Sequence, residues 1–350
     1  MIWGLPIVVV LIQGFRWLRS RVAPVPPAVG LGDDLTPSVT LLVAAWNAAD
    51  HIEPFVAAFR TLNLPEFQLV LCAGGQDGTY ERALALADSR VTVIRQCAGE
   101  GKQGALAKAL GHARGEIVYF TDIDCRPTTE VVIPLVQHVR TAPDEVAAGI
   151  VRPWATQADN RFVLAQWAVY RASRLGEPSY VAGIDGRNAA VRREILARTR
   201  VLEVPAPSGT DYTLAKELLR HGHAIRRVWS EMPTEFPPTL AIYVKKQARW
   251  LRNVWLLGGR YRALSEVRRV AMTAAFPVVL AGMAMLGAWF RPAWALAAAL
   301  VLYSLGNRIL YLKQAGFAPY LWESAVLLGG DWSAGLLMLV QAWRGVVAWS

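Results

Sequence analysis

The sequence predicts an α/β domain placed between apolar segments that are suited to a membrane. Three observations support this prediction. Only 18% of the 350 residues are charged and 54% are hydrophobic, whereas an ordinary soluble domain has about 25% charged residues. The middle of the chain alternates short β-rich runs with helical patterns, and residues 270–290 contain no charged side chain. The composition also excludes a disordered chain, which combines low hydrophobicity with high net charge.

Four apolar runs in the middle of the chain are predicted as buried strands. Continuous apolar strands that alternate with helices indicate βαβ units and a parallel sheet covered on both faces. In such sheets, ligands bind beyond the carboxyl ends of the strands, so the residues directly after each strand are the candidate functional residues. The predicted strands are Val39–Ala45, Gln68–Cys72, Val91–Ile94 and Ile117–Thr121, with helices at 52–62, 78–88 and 103–114.

Two aspartates stand out after the fourth strand. Asp122 and Asp124 occupy alternate positions there, where their charges repel each other unless a cation neutralises them. A hard divalent cation that bridges to a diphosphate satisfies this requirement, and two solvated loop aspartates are the alternative. Trp46 follows the first strand, and the second is followed by Gly74, Gly75 and Asp77 in a segment that suits either a ligand loop or an ordinary turn.

Two further residues lie at predicted helix starts. Lys102 is placed to meet a phosphate as a point charge, or it is a solvated lysine. Asp211 opens the predicted helix 212–220, where a carboxylate interacts favourably with the helix dipole.

Four segments in the same order resemble the membrane-integrated glycosyltransferases of family 2, which have the GT-A fold. The resemblance runs from about Ser38 to Trp250. It is carried by GKQGALAKALGHARGEIVYFTDIDC (Gly101 to Cys125), VAGIDGRNAAVRREIL (Val181 to Leu196), GTDYTLAKELLRHGHAI (from Gly209) and KQARW (Lys246 to Trp250), which is similar to the QxxRW motif.

The resemblance implies a role for each matching residue. Asp122 and Asp124 match the DxD motif that holds Mg²⁺ or Mn²⁺ and the donor diphosphate. Asp211 matches the carboxylate that deprotonates the acceptor hydroxyl. The remaining predicted donor-binding residues are Ala45, Trp46 near the nucleotide base, Asp77, Lys102, Arg249 and Trp250, the last two closing over the donor and lining the acceptor site.

Several positions depart from the family pattern. Cys72-Ala73 replaces a pair of acids, so a carboxylate that often contacts the base is missing. Ala48 replaces a common Glu, Lys246 replaces the first Gln of QxxRW, and Thr210 replaces the Glu before the base. These changes argue against a standard cellulose, chitin or hyaluronan synthase. They leave both DxD aspartates and Asp211 in place.

The resemblance therefore implies an inverting transfer of a sugar from a nucleotide-sugar donor, with a UDP-sugar expected, to a lipid or polysaccharide acceptor. The alternative is a non-catalytic membrane scaffold protein with a degenerate transferase domain. A transporter is excluded because the chain has too few spans. The three cysteines lie far apart and contain no CxxC pair, which disfavours both a disulfide framework and a zinc site.

The arginines predict the orientation in the membrane. Arg16, Arg19 and Arg21 follow the apolar N-terminus instead of preceding it, so residues 1–20 are predicted as an uncleaved anchor whose N-terminus lies outside. The positive-inside rule then places residues 36–240, the GT-A domain, at the cytoplasmic face of the cell (inner) membrane.

The C-terminal part of the chain is predicted to contact lipid. Residues 241–269 combine Arg with Trp, which suits an interfacial helix touching membrane lipids; a nucleic-acid patch is the disfavoured alternative. Residues 270–350 are predicted to contain two to three spans, at 270–290, 292–312 and 321–343. In the third, Gly329-Gly330 beside Asp331 favours a broken or re-entrant helix, and an interfacial helix is equally compatible.

Overall fold

The computed structural model describes residues 4–22, 38–175, 177–206, 208–317 and 321–344. They divide into two compact units. We call residues 38–155 and 177–235 the sheet unit, and residues 4–22, 156–175, 236–317 and 321–344 the helical unit. The chain thus leaves the sheet unit after Ala155 and returns to it at Glu177. The predicted boundaries at 36, 240 and 269 stay predictions, and residues 1–3 of the predicted anchor lie outside the described residues.

The described residues contain seven strands and twelve α-helices. The strands are β1 (Val39–Trp46), β2 (Phe67–Gly74), β3 (Val91–Arg95), β4 (Ile117–Phe120), β5 (Val146–Pro153), β6 (Ala189–Arg192) and β7 (Ile225–Thr234). The helices are α1 (Leu5–Arg19), α2 (Ala49–Arg60), α3 (Thr79–Ala85), α4 (Gly101–Leu110), α5 (Thr129–Thr141), α6 (Arg161–Leu175), α7 (Arg193–Thr199), α8 (Thr210–Arg220), α9 (Leu240–Gly258), α10 (Leu264–Leu286), α11 (Pro292–Gln314) and α12 (Leu321–Trp343).

The sheet of the sheet unit is mixed, with strand order β3-β2-β1-β4-β6-β5-β7. The predicted parallel arrangement is correct for β1 to β4. It does not extend to the whole sheet, because β6 runs antiparallel to both β4 and β5. Apolar runs do not encode strand direction: a strand buried on both faces has the same composition whichever way it runs.

The core of the sheet unit forms where α4 and α8 pack on the sheet. Leu42 and Val118 from the strands meet Leu106 of α4 and Leu214 of α8 in one buried cluster. Leu41 and Leu42 are both fully buried although they point to opposite faces of β1. The sheet is therefore covered on both faces there, as the continuous apolar run predicted.

Three helices of the helical unit are long and apolar enough to cross a membrane, namely α10, α11 and residues 322–343 of α12. The prediction of two to three C-terminal spans agrees with this. Helix α1 has 15 residues, which rise about 22 Å against a hydrocarbon core of about 30 Å. A span over residues 1–20 therefore stays a prediction.

The expected break in the third apolar segment is wrong, because α12 is a continuous helix through Gly329-Gly330. Asp331 does not need a broken helix, since it forms an ion pair with Arg308 of α11 and accepts a 2.6 Å hydrogen bond from the Tyr243 hydroxyl of α9. At Gly330 a Cβ would lie 2.9 Å from Leu240 Cδ1. The glycine thus lets α9 approach closely, as small residues do between helices.

Helix α1 packs along α11 in the same direction. Gln13 Nε2 donates to the Tyr303 carbonyl at 3.3 Å, and one turn later Arg16 Nη1 donates to Asn307 Oδ1 at 2.8 Å. Lys313 Nζ then lies 3.9 Å from the centre of the Trp17 ring. Because contacts advance together along both helices, α1 and α11 are parallel and their C-terminal ends lie at the same level.

Candidate active site

The sheet topology brings the candidate residues to one edge. The loops after β1, β2 and β4 share the carboxyl edge of the parallel strands, and α4 begins at that edge because it is a crossover helix. Strand β6 runs antiparallel to β4, so the residues that precede β6 also lie at this edge. Phe120 pairs with Ala189 in an antiparallel ladder, so the residues just before Ala189 lie beside those just after Phe120.

Asp77 clamps the loops after β1 and β2 together. Its Oδ2 accepts a hydrogen bond from the Ala49 amide at 3.0 Å, and its Oδ1 accepts from the Thr79 amide at 3.1 Å and the Thr79 hydroxyl at 2.5 Å. Burial alone raises the pKa of Asp77, but these hydrogen bonds outweigh it and lower that pKa. Asp77 is therefore ionised and shapes the edge; donor contact by Asp77 stays a prediction.

Trp46 is the exposed aromatic residue at the end of β1. Trp46 is 42% exposed, whereas Ala45 is 1% exposed, so contact of Ala45 with a donor stays a prediction. Gly74 supports the indole: a Cβ there would lie 2.9 Å from Trp46 Cζ3. The ring face of Trp46 is thus available for stacking at the predicted edge.

Lys102 and Asp122 form the centre of the site. Lys102 Nζ lies 2.5 Å from Asp122 Oδ1, and each side chain is 27% exposed. Burial alone lowers the pKa of Lys102, but the carboxylates of Asp122, Asp211 and Asp124 outweigh it and raise that pKa. Lys102 is therefore a fixed cation facing three acids.

Asp124 lies on the same side of the loop as Asp122. Both carboxylates are partly exposed, while Ile123 and Cys125 between and after them are buried at 8% and 0% exposure. Burial, with Asp124 and Asp122 nearby, raises the pKa of Cys125 to about 12. The thiol is therefore neutral and packs beneath the two aspartates.

Asp211 stands in the first turn of α8, after Gly209 with its left-handed φ of 71°. Burial raises the pKa of Asp211; Lys102 opposes this, and Asp185 and Asp122 add to it, so that the net pKa is raised. The helix-start argument predicted stabilisation of the charged form. It is outweighed here because the carboxylate is buried beside other acids.

Asp185 and Gly186 were missed by the sequence reasoning as individual site residues. Asp185 is held by Arg187, whose Nε and Nη2 donate to its two oxygens at 2.8 Å each. A Cβ at Gly186 would lie 3.1 Å from Asp211 Cβ and 3.9 Å from Lys102 Nζ. The sequence signal for these two residues was an acid flanked by glycine in the segment 181–196. The position of this acid at the sheet edge depends on the direction of β6, which the sequence does not show.

Asn188, from the same segment, serves the framework. It is fully buried, accepts from the Tyr119 hydroxyl at 2.5 Å, and donates to the carbonyls of Ile150 at 2.8 Å and Ser230 at 3.0 Å. Asn188 thereby ties β4, β5 and β7 together beneath the site.

Arg249 and Trp250 belong to the helical unit, on α9. Trp250 is 50% exposed. Their predicted contacts with the donor stay predictions. Cys72, which replaces a family acid, is fully buried in β2, and burial raises its pKa to about 11, so it supplies no anion to the edge.

The carboxylates at this edge of the sheet suit a hard divalent cation. Three carboxylates, from Asp122, Asp124 and Asp211, face Lys102. A fourth, from Asp185, acts on Asp211 and is paired with Arg187. Within the described ranges no group of three or more His, Cys, Asp or Glu residues is arranged to hold a metal by itself. A pair of carboxylates that shares an ion with a diphosphate is the arrangement that Mg²⁺ commonly adopts, and Asp122 with Asp124 fits it.

The match to a known family covers this edge. The family model described as glycosyl transferase family 2 matches residues 40–200. Residues 40–200 thus match a family 2 glycosyl transferase domain. The family 2 domain includes β1 to β6, Lys102, Asp122, Asp124 and Asp185, while Asp211 follows it by eleven residues. The predicted α/β fold of GT-A type, with apolar helices after it, is thereby confirmed.

Known proteins similar to the chain include three glucosyl transferases. The bactoprenol glucosyl transferases of Shigella phage SfV and Shigella phage SfII, and the SfII prophage-derived enzyme of Shigella flexneri, are each 29% identical over 116 residues, or 31% of this chain. The matched part spans 38% of the length of these relatives. Among solved structures, a mannosyltransferase from Pyrobaculum calidifontis in complex with GDP-Man and Mn²⁺ is 18% identical, with a TM-score of 0.49, covering 87% of this chain and 99% of that one.

Proposed function

We propose that the protein is a membrane-bound inverting glycosyltransferase that moves a sugar from a nucleotide-sugar donor to a lipid acceptor at the cytoplasmic face. The observation that carries this proposal is the convergence of Lys102, Asp122, Asp124 and Asp211 at one edge of the sheet that the family 2 match covers. A degenerate scaffold would not need to keep this set of opposed charges.

Two observations support a lipid as the acceptor of the sugar. The helices α10, α11 and α12 suit a membrane, and the similar glucosyl transferases carry bactoprenol in their names. Both observations favour a lipid over a soluble glycan, and a growing polysaccharide is the second choice. A UDP-sugar is the expected donor, with the base stacked on Trp46.

Asp211 is the general base of the proposed reaction. It takes the proton of the acceptor hydroxyl, whose oxygen then bonds to the anomeric carbon. The bond from that carbon to the diphosphate oxygen breaks on the opposite side, so one displacement inverts the configuration. Lys102 meets the negative charge that develops on the leaving diphosphate. Asp122 and Asp124 would hold Mg²⁺ or Mn²⁺, which would neutralise further charge on the diphosphate.

The packing of α1 supports the proposed orientation. Since α1 and α11 are parallel, and the short connection 287–291 joins the end of α10 to the start of α11, the C-terminal ends of α1 and α11 lie on the side where α10 begins. Arg16, Arg19, Arg268 and Arg269 share that side, which the positive-inside rule makes cytoplasmic.

A nucleotide-sugar screen tests the proposal. The protein is purified in detergent with co-extracted lipids, incubated with a panel of UDP- and GDP-sugars, and the lipids are analysed by mass spectrometry. A lipid gains one hexose mass with one donor, and Asp211→Asn forms none of that product. Failure to turn over any donor by transfer or hydrolysis, with the fold intact, contradicts the proposal.

A further inference from the structure

Two open cavities among the described residues of the helical unit are similar in size but differ in charge. One, of about 740 Å³, lies at the starts of α6 and α12 and has both signs, with Arg161 against Asp159 and Glu323. The other, of about 720 Å³, lies between the C-terminal parts of α1 and α11. Among the described residues no acidic side chain lines this second cavity, which we call the α1–α11 groove.

The groove is rich in hydrogen-bond donors. Two arginines from α1 line it, and α11 contributes polar and aromatic side chains at four-residue spacing, which places them on one helix face. These lining residues are Arg16, Arg19, Ser20, Tyr303, Asn307 and Tyr311.

Arg16 is held in position for a ligand. Its Nη1 donates to Gln13 Oε1 at 3.1 Å and to Asn307 Oδ1 at 2.8 Å. A guanidinium has five N–H donors, so this fixed group retains donors on Nε and Nη2. Arg19 lies one turn further along α1, with its guanidinium 4.3 Å from the centre of the Phe15 ring.

The aromatic residues give the groove an amphipathic wall. Tyr303 is 47% and Tyr311 52% exposed, and tyrosines are typical of the level of the lipid headgroups. Lys313 adds a positive charge beside Trp17 at the same level. The combination of paired guanidiniums, hydroxyls and aromatic rings matches an anionic phosphate that carries an acyl or prenyl chain.

We propose that the α1–α11 groove binds the phosphate headgroup of an anionic lipid, with Arg16 and Arg19 as its ligands. The shared chemistry is a lipid phosphate, and two sources supply it: a bilayer phospholipid that fixes α1, or a phosphorylated lipid substrate. The second source would be a substrate of the proposed transfer reaction and rests on that proposal. Binding is measured without turnover, so failure of the site is separate from failure of the proposed function.

Native mass spectrometry of the full-length protein in detergent tests the site. The probes are phosphatidylglycerol and a polyprenyl monophosphate, with zwitterionic phosphatidylcholine as the control lipid. Arg19→Gln is expected to weaken binding of the anionic probes about fivefold, and Arg16→Gln with Arg19→Gln about 25-fold, the ratios that correspond to about 1 kcal/mol for each arginine near a membrane surface. The probe that binds more tightly identifies the source.

Arg21→Gln is the matched control, because Arg21 lies on the same segment, is exposed, and does not line the groove. It should keep wild-type affinity, and Arg19→Lys should keep most of it. If the double variant is unstable, Arg19→Gln alone decides, since the described contact of Arg19 is only with the Phe15 ring. Equal losses in Arg21→Gln and Arg19→Gln, or unchanged binding in Arg19→Gln, would overturn the proposal.

Discussion

Burial and two neighbouring carboxylates raise the pKa of Asp211, and this matters for a proton acceptor. A base with a raised pKa accepts a proton more readily, provided that it is ionised at the working pH. In the wild-type structure, Asp211 Oδ1 accepts a 2.9 Å hydrogen bond from the Tyr212 amide. In Asp211→Asn the side-chain amide oxygen can accept the same bond. We therefore expect transfer to slow by about 10²–10⁴-fold while donor affinity and melting temperature stay near wild type.

The three measurements separate the two roles of this residue. A near-wild-type transfer rate in Asp211→Asn places the base elsewhere. A large fall in melting temperature instead shows that the carboxylate stabilises the start of α8.

The pH dependence of transfer tests the influence of Asp185 on the base. Transfer requires ionised Asp211, so the rate falls as the pH drops through its pKa. Asp185 raises that pKa. Asp185→Asn removes this charge, so the acid limb of the rate profile should move to lower pH. The profiles are measured at one fixed Mg²⁺ concentration, and a shift to higher pH, or none, contradicts the assignment.

Asp124→Ala tests whether donor turnover requires a divalent metal ion. Donor turnover is expected to need Mg²⁺ or Mn²⁺ and to fall below detection in this variant, because one of two predicted ligands is lost. Asp50→Ala is the matched control, since the Asp50 side chain is 94% exposed, and it should behave as wild type. Full turnover by the wild-type protein in excess chelator would refute the metal requirement.

At the level of single residues, the sequence predicts those that follow strands or open helices. Lys102, Asp122, Asp124 and Asp211 share this property, and the structure brings them together. Asp185 precedes a strand, and only the antiparallel direction of β6 turns it toward the same edge. A pattern of apolar residues contains no information on that direction.

At the level of elements, the sequence predicts β1 to β4 to within two residues at each end because their apolar runs are bounded by loops. Its error at α12 has a physical cause. Two glycines and an aspartate at 329–331 would weaken an isolated membrane helix. In the structure, Arg308 and Tyr243 stabilise the Asp331 carboxylate by an ion pair and a hydrogen bond. Such partners are distant in sequence and become visible only in three dimensions.

The Arg308–Asp331 pair gives a stability prediction for these helices. Arg308 and Asp331 are 14% and 25% exposed, so loss of one partner leaves a charge in an apolar setting. Asp331→Leu is expected to destabilise the helical unit by about 3–5 kcal/mol, measured as a lower unfolding temperature in detergent. Arg308→Met combined with Asp331→Leu should recover most of that loss, and a double variant no better than the single one contradicts the pairing.

At the level of the whole chain, the three cysteines provide a test of topology without added labels. Cys72 and Cys125 are buried and Cys97 is exposed. A membrane-impermeant maleimide should therefore label the protein in permeabilised cells but not in intact cells, with Cys97→Ser as the unlabelled control. In that background, Trp289→Cys, in the α10–α11 connection with a side chain 86% exposed, should be labelled in intact cells. The reverse pattern refutes the proposed orientation.

The parallel pairing of α1 with α11 has a consequence for biogenesis. The ribosome synthesises α1 first, yet the polar partners of Gln13 and Arg16 are on α11 and emerge almost three hundred residues later. At about 5–20 residues per second, the nascent chain waits about 15–60 s for them. During that time Gln13 and Arg16 have each other as partners within α1, and the predicted N-terminal anchor lacks the polar contacts that join it to α11. Packing of the predicted N-terminal anchor against α11 is thus a late event, completed only after the sheet unit has been translated.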